Sequence, residues 1–312
     1  MSVVLRHFLI ALSKNPWMQD LIVDVPLTRR MARRYVAGET LAEAIHVIRA
    51  TNDAGMTATV DFLGENVTKE SEARANADEY IRILQAIHDE GLDANISIKP
   101  TAMGLAMDDQ LCRDNVRLLV QWAAELGNFV RVDMEDSAVT ERTLGLYRHL
   151  RGQHDNVGTV IQSYLYRSQD DVRDLLQSGL ALLRLCKGAY DEPSTVAFRD
   201  RVEIDRELVA LIKLMLDGLD RYPGTYPAVA SHDQRIINWT KAYAYHHQVA
   251  VDRFEFQMLH GIRSDLQRAL TAQGYHMRVY IPYGTAWYPY FMRRLAERPA
   301  NLLLFLRSLV GN

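Results

Sequence analysis

The chain has only two cysteines, Cys112 and Cys186, among 312 residues. They build no disulfide framework and offer no metal-ligand spacing, so no metal site is expected and a reducing compartment fits. Net charge is also scarce: 36 Lys and Arg against 39 Asp and Glu leave −3, and no basic field marks a nucleic-acid partner. No apolar run is long enough to span a bilayer. The opening residues 1–7 lack the layout of a secretory signal. No Gly-x-Gly-x-x-Gly follows a strand and no phosphate-loop pattern occurs, which argues against a Rossmann dinucleotide site. Internal repeats, low-complexity tracts and linkers are missing too. The expected location is cytoplasmic, or peripheral on the cytoplasmic face of a membrane. Residues 8–25 are apolar and interrupted by Pro16. They either pack on the body as a short helix, which is the expectation, or touch a membrane surface.

What the chain has is a steady alternation. With 48% hydrophobic and 24% charged residues, it has ordinary globular composition and length for a large core. Past residue 55, short β-branched or apolar runs bounded by turn signals fall at 58–63, 94–99, 129–135, 158–163, 181–187, 227–231, 253–259 and 277–281. Helical patterns fill the gaps, at about 69–90, 108–126 and 198–219 among others. The first two stop before Gly91 and Gly127. Eight strands each followed by a helix predict an α/β fold, a (β/α)₈ barrel over 51–312, with a helical N-terminal extension over 1–50.

Strand side chains alternate between two faces. One face of nearly every strand carries polar residues: Thr59 and Asp61; Asn95, Ser97 and Lys99; Arg131, Asp133 and Glu135; Gln162; Arg184; Glu255 and Gln257; Arg278 and Tyr280. The apolar face must meet the helices, so the polar face points into the barrel. Buried charges are costly unless paired. A structural ion-pair lattice would satisfy such a lining. A catalytic site would also, and it is favoured because the polar residues gather at the C-terminal strand ends, where barrel active sites form. Lys99, Asp133, Gln162, Arg184, Lys187, His232 and Tyr280 would ring one mouth.

Two further motifs bear on chemistry. In Lys187-Gly188-Ala189 a strand runs into small residues that let a planar ring or a phosphate approach the backbone. In Tyr290-Phe291-Met292-Arg293-Arg294 two adjacent arginines sit in a helix beside an aromatic. Paired guanidinium groups suit a small carboxylate, because each presents a planar fork of donors.

These motifs together resemble monofunctional proline dehydrogenase, the flavin enzyme of proline catabolism. The resemblance rests on Asp61-Phe62-Leu63-Gly64-Glu65, Ser97-Ile98-Lys99, Arg131-Val132-Asp133-Met134-Glu135, the stretch 184–190, the stretch 254–261 and the stretch 290–301. It implies a distorted (β/α)₈ barrel with FAD at its C-terminal mouth. It implies FAD contacts from Met134, Gln162, Arg184, Lys187, Gly188, Ala189, Ser231 and His232, with Arg184 near flavin N5. It implies a charged pair of Lys99 and Asp133 beside the substrate. Arg293 and Arg294 would hold the proline carboxylate, Tyr280 and Tyr290 would wall the pocket, and Glu65 would pair with Arg293 to close it. Asp133 and Arg184 carry the catalytic assignment, with the base left open. The implied reaction converts L-proline to Δ1-pyrroline-5-carboxylate, the first step of proline catabolism to glutamate. Electrons would pass to a membrane quinone and the product to a pyrroline-5-carboxylate dehydrogenase. The sequence departs from the family where Pro100 replaces the usual Leu and Cys186 the usual Val. Two rivals remain at this stage. One is a Schiff-base barrel enzyme of the class I aldolase type using Lys99 or Lys187, and the other is a non-enzymatic amino-acid-binding barrel.

Overall fold

The computed structural model describes residues 31–64 and 67–297. Eight parallel strands close on themselves in chain order, with β8 paired back to β1. The strands are β1 Thr57–Phe62, β2 Ala94–Ile98, β3 Val130–Val132, β4 Val157–Gln162, β5 Leu182–Cys186, β6 Tyr226–Ala230, β7 Glu255–Leu259 and β8 His276–Tyr283. The helices are α1 Leu41–Asp53, α2 Glu70–Asp89, α3 Asp109–Glu125, α4 Thr140–Arg151, α5 Ser168–Gln177, α6 Arg201–Gly218, α7 Gln234–His246, α8 Ser264–Ala272 and α9 Trp287–Glu297. The eight-stranded α/β barrel read from the alternation is therefore the fold.

Local chemistry sets the helix starts. Asp108 caps α3 by accepting from Leu111 N at 2.7 Å. Asp200 caps α6 through Val202 N and Glu203 N, and Asp233 caps α7 through Arg235 N. Each satisfies an amide that has no partner inside the helix. Thr40 and Glu43 form a reciprocal capping box at α1. That helix precedes the first strand and packs on β8 and β1, burying Ala44, Ile45 and Ile48.

The two-residue period decides which side chains meet the helices. Val60, Ile96, Ile98, Val130, Val132, Leu183, Leu185, Phe256, Val279 and Ile281 are buried in one continuous apolar core. The alternate positions Thr59, Asp61, Asn95, Ser97, Arg131, Arg184, Glu255 and Gln257 are buried as well, but inside the barrel. A polar interior of this kind must pair all its charges within itself.

β3 is shorter than the period suggests. It ends at Val132, although Asp133 N still donates to Ile98 O at 2.8 Å. Beyond that the strand ladder ends. Thr101 N donates to the Glu135 carboxylate at 2.8 Å, and Gln162 Nε2 donates to Glu135 O at 2.7 Å. Pro100 opens a 3₁₀ turn over Thr101–Met103 and leaves Lys99 directed into the barrel.

α9 rests on the C-terminal end of the barrel. Its Trp287, Tyr288, Tyr290, Phe291 and Met292 are buried in a second apolar cluster with Leu63 beyond β1, Ile262 beyond β7, and Ala32, Tyr35 and Val36 of the preceding segment. Gly261 has φ +72°, and a Cβ there would lie 1.6 Å from Arg34 O. Only glycine lets the β7 loop and this segment approach so closely.

Candidate active site

The C-terminal half of the barrel interior holds two charged clusters. In the first, Lys99 Nζ lies 2.6 and 2.7 Å from the two oxygens of Asp61. Asp61 is fully buried. Tyr80 reaches in from α2, donates to Ser97 O at 2.9 Å, and lies 3.3 Å from Asp61 Oδ1. It also accepts from Phe62 N at 3.1 Å. Burial, and then the Asp61 charge, hold the Tyr80 phenol well above its ordinary range, so it stays protonated.

In the second cluster Asp133 is the common acceptor. Its Oδ1 accepts from Ser97 Oγ at 2.6 Å and from Arg184 Nη1 at 2.7 Å, and its Oδ2 accepts from Tyr280 OH at 3.0 Å. Tyr280 is held protonated by burial and by the neighbouring Asp133 charge. Its ring also faces the Arg184 guanidinium, 5.2 Å from the centroid. The Arg184 Nε donates to Gln257 Oε1. Nη2 of Arg184 is buried with no hydrogen-bond partner among the described residues. A buried, charged donor left over is expensive in a finished core and points to a ligand that completes it.

The implied pairing of Lys99 with Asp133 is corrected here. Ile98 pairs with Val132, so Lys99 and Asp133 follow on neighbouring strands. Yet Lys99 turns to Asp61 on its other side, and Asp133 turns to Arg184. The reason is charge accounting. Asp133 already has three donors, from Ser97, Arg184 and Tyr280, whereas both Asp61 oxygens accept from Lys99 Nζ.

The remaining expected positions fall as follows. Gln162 ends β4 and Met134 is buried beyond β3. Ser231 and His232 follow β6: Ser231 Oγ accepts from Asp233 N at 3.2 Å, and His232 Nε2 accepts from Leu259 N at 3.0 Å. Lys187 is half-exposed at the mouth and engages Asp205 at 2.5 Å and Asp233 at 3.5 Å. Cys186 beside it is inert, its thiol pushed up to about 11 by burial. Gly188 has φ +108°, and a Cβ on it would lie 2.3 Å from the Tyr164 ring. Gly188→Ala is therefore expected to cost about 1–3 kcal/mol through strain and overpacking, read as a lower urea midpoint.

On α9 the Arg294 guanidinium sits 5.3 Å from the Tyr290 ring centroid, one helical turn away. Arg293 is displaced from it by roughly 100° around the axis. Both arginines are partly buried. Glu65, the implied partner of Arg293, lies outside the described residues, as do residues 8–25.

Four residues of the two clusters had no assigned role in the sequence reading: Asp61, Ser97, Gln257 and Tyr80. The two-residue period had placed the first three inward. Tyr80 left no signal, because an aromatic on the apolar stripe of a helix reads as core.

Comparison with known proteins decides the family. A proline dehydrogenase family profile matches residues 44–303. The chain belongs to the proline dehydrogenase family. It is 42% identical to proline dehydrogenase 1 of Bacillus subtilis subsp. natto over 310 residues, covering 98% of this chain and 99% of that protein. It is 40% identical to the proline dehydrogenase of Deinococcus radiodurans, covering 90% of each. Among solved structures, proline utilization A of Bdellovibrio bacteriovorus, inactivated by N-propargylglycine, superposes with a TM-score of 0.81 at 25% identity. That match covers 93% of this chain but 36% of the other, so this proline dehydrogenase family member spans about a third of that longer protein.

No described helix is long and apolar enough to cross a membrane.

Proposed function

We propose that this chain oxidises L-proline to Δ1-pyrroline-5-carboxylate with FAD as its bound electron acceptor. The observation that carries the reading is the Tyr280–Asp133–Arg184 constellation, with the Arg184 Nη2 donors unmatched at its end. A guanidinium edge with donors to spare suits the electron-rich edge of a flavin. Residues and cofactor thus fit. Arg184, Gly188 and Ala189, with Met134, Gln162, Ser231 and His232, would hold FAD, and Lys187 would face its phosphates.

When bound, FAD supplies the two-electron acceptor for the hydride that leaves the ring carbon next to nitrogen. The protein's share is orientation and field. The substrate nitrogen gives up a proton and the carbon a hydride, leaving a carbon–nitrogen double bond. Arg293 and Arg294 on α9 take the carboxylate, and Tyr280 and Tyr290 flank the ring. Positioning of this kind supplies much of a rate enhancement. Arg184 places positive charge where negative charge accumulates, and Asp133 keeps it there. Asp133 has donors on both oxygens, so its role is to anchor Arg184. The Lys99–Asp61 pair lines the barrel interior beside it. A membrane quinone takes the electrons onward, and a separate pyrroline-5-carboxylate dehydrogenase consumes the product.

The Schiff-base rival loses support. A lysine nucleophile needs its amine available to attack a carbonyl. Here Lys99 is engaged by Asp61 and Lys187 by Asp205. A binding-only barrel is separated by one experiment. Purified protein should be yellow, and anaerobic L-proline should bleach its flavin absorbance; retention of full colour with saturating proline would overturn the proposal. Arg293→Ala or Arg294→Ala should then raise the KM for proline about tenfold or more, with flavin content unchanged, as expected for loss of a charge-assisted contact to a carboxylate. Loss of flavin with unaltered proline saturation would reject the carboxylate assignment.

A further inference from the structure

The polar lining of the barrel does not stop at Arg184. It continues downward through β7 to the floor. A guanidinium has five N–H donors fixed in one plane. In Arg184 three are in use: two on Nη1, toward Asp133 and Ser97, and one on Nε, toward Gln257. The Nη1 contacts fix one corner of the plane. The Nε contact fixes a second corner and stops the group from swinging about the first.

The carboxamide of Gln257 could present its oxygen or its NH₂ to Arg184, and only the oxygen accepts. Glu255 makes that choice. The Gln257 Nε2 donates to Glu255 Oε1. A flipped amide would set its oxygen against a carboxylate and its NH₂ against an N–H donor, which is unfavourable at both ends. Glu255 is itself held by Arg278, whose Nε lies 3.1 Å from each carboxylate oxygen. Burial pushes the Glu255 carboxyl up, but the Arg278 guanidinium, the Gln257 hydrogen bond and the Arg131 charge together outweigh it and hold the carboxyl below the usual range. Arg278 Nη1 is tied in turn to Ala58 O at 2.9 Å and Asn95 Oδ1 at 3.1 Å. Arg184, Gln257 and Glu255 are all buried. This chain of bonds links the floor of the barrel to its mouth without a break.

We propose that Gln257 is a positioning residue for proline oxidation: locked by Glu255, it holds the Arg184 plane so that the two Nη2 N–H groups are the edge presented to the bound cofactor. The proposal rests on the reading of Arg184 given above. Glu255 and Arg278 serve it through Gln257. In this light the lower charges of the barrel are a lattice that supports the site, so the structural and catalytic readings of the polar lining describe two ends of one network.

The test uses the flavin-loaded enzyme. Gln257→Met keeps the side-chain volume and removes the acceptor. Its kcat should fall about tenfold to a hundredfold, with proline KM within about threefold of the parent. The midpoint potential of the bound flavin should shift negative, because the Arg184 charge no longer sits in place. A single Gln257→Glu sets two carboxylates side by side and should lose stability. Combining it with Glu255→Gln restores an acceptor for Arg184 and a donor between the two positions at unchanged net charge. This exchanged pair should recover kcat to within about threefold of the parent and restore the potential. A Gln257→Met enzyme with parental kcat and potential would overturn the proposal. So would an exchanged pair no better than the worst single variant, and this arm decides the matter if Gln257→Met does not fold. Arg184→Met is run alongside. If it too leaves kcat and potential unchanged, the reading of Arg184 has failed; if it alone is impaired, only the role of Gln257 has.

Discussion

Arg184→Met is expected to slow proline oxidation about 10²–10³-fold, the loss seen when one preorganised donor to developing charge is removed. The same change should lower stability, because it leaves the Asp133 carboxylate buried without its cation. Ser97 Oγ and Tyr280 OH remain bound to that carboxylate. The destabilisation is accordingly expected near the low end for a broken buried pair, about 3 kcal/mol. Stopped-flow reduction of the flavin by proline measures the first effect, and denaturant unfolding the second. Wild-type reduction rates in this variant would remove Arg184 from the chemistry. A rate loss with unchanged stability would instead show that Asp133 finds another cation.

Asp61→Ala is expected to have the second largest effect, on the fold more than on turnover. Asp61 is completely buried, and it receives Lys99 Nζ through both oxygens. Removing it takes from the buried Lys99 ammonium the carboxylate that meets it through both oxygens. Breaking a buried pair from one side costs about 3–5 kcal/mol, which lowers Tm by about 5 °C or more in a chain of this size. The paired change Asp61→Ala with Lys99→Met removes both charges and should recover most of the loss, because a buried ion pair is worth little more than well-packed apolar groups of equal volume. If the single variant is as stable as the parent, Lys99 has turned to Asp133 and the two clusters are not independent. Scanning calorimetry of the three proteins decides this.

Much of this architecture is legible in the residues themselves. Glu255 and Gln257 alternate with Phe254, Phe256 and Met258, and the same parity holds in the other strands. The polar set can face only one way if the helices are to cover the other. Helix ends at Gly91 and Gly127 and caps such as Asp108 and Asp233 are local effects, so they could be placed to within a few residues. β3 was less legible: its period runs on to Glu135, but Thr101 and Gln162 take the last residues out of the ladder.

The partners inside the barrel were not legible. Parity places Lys99, Asp61 and Asp133 on the inner face without saying which carboxylate the amine chooses. The resemblance alone suggested Asp133. Likewise Gln257 was recognisably inward-facing, but nothing near it in sequence shows that it touches Arg184, 73 positions earlier.

The sequence by itself therefore determined the barrel, its polar interior, its family and the side chains that had to be charged there, because secondary structure and facing are set by short-range periodicity. Only the closed tertiary structure decided how those charges divide into Lys99–Asp61 and Arg184–Asp133, and which donors of Arg184 are left over. Those choices depend on neighbours brought together across the barrel, where each buried charge must find its counterpart at close range or pay the cost of desolvation.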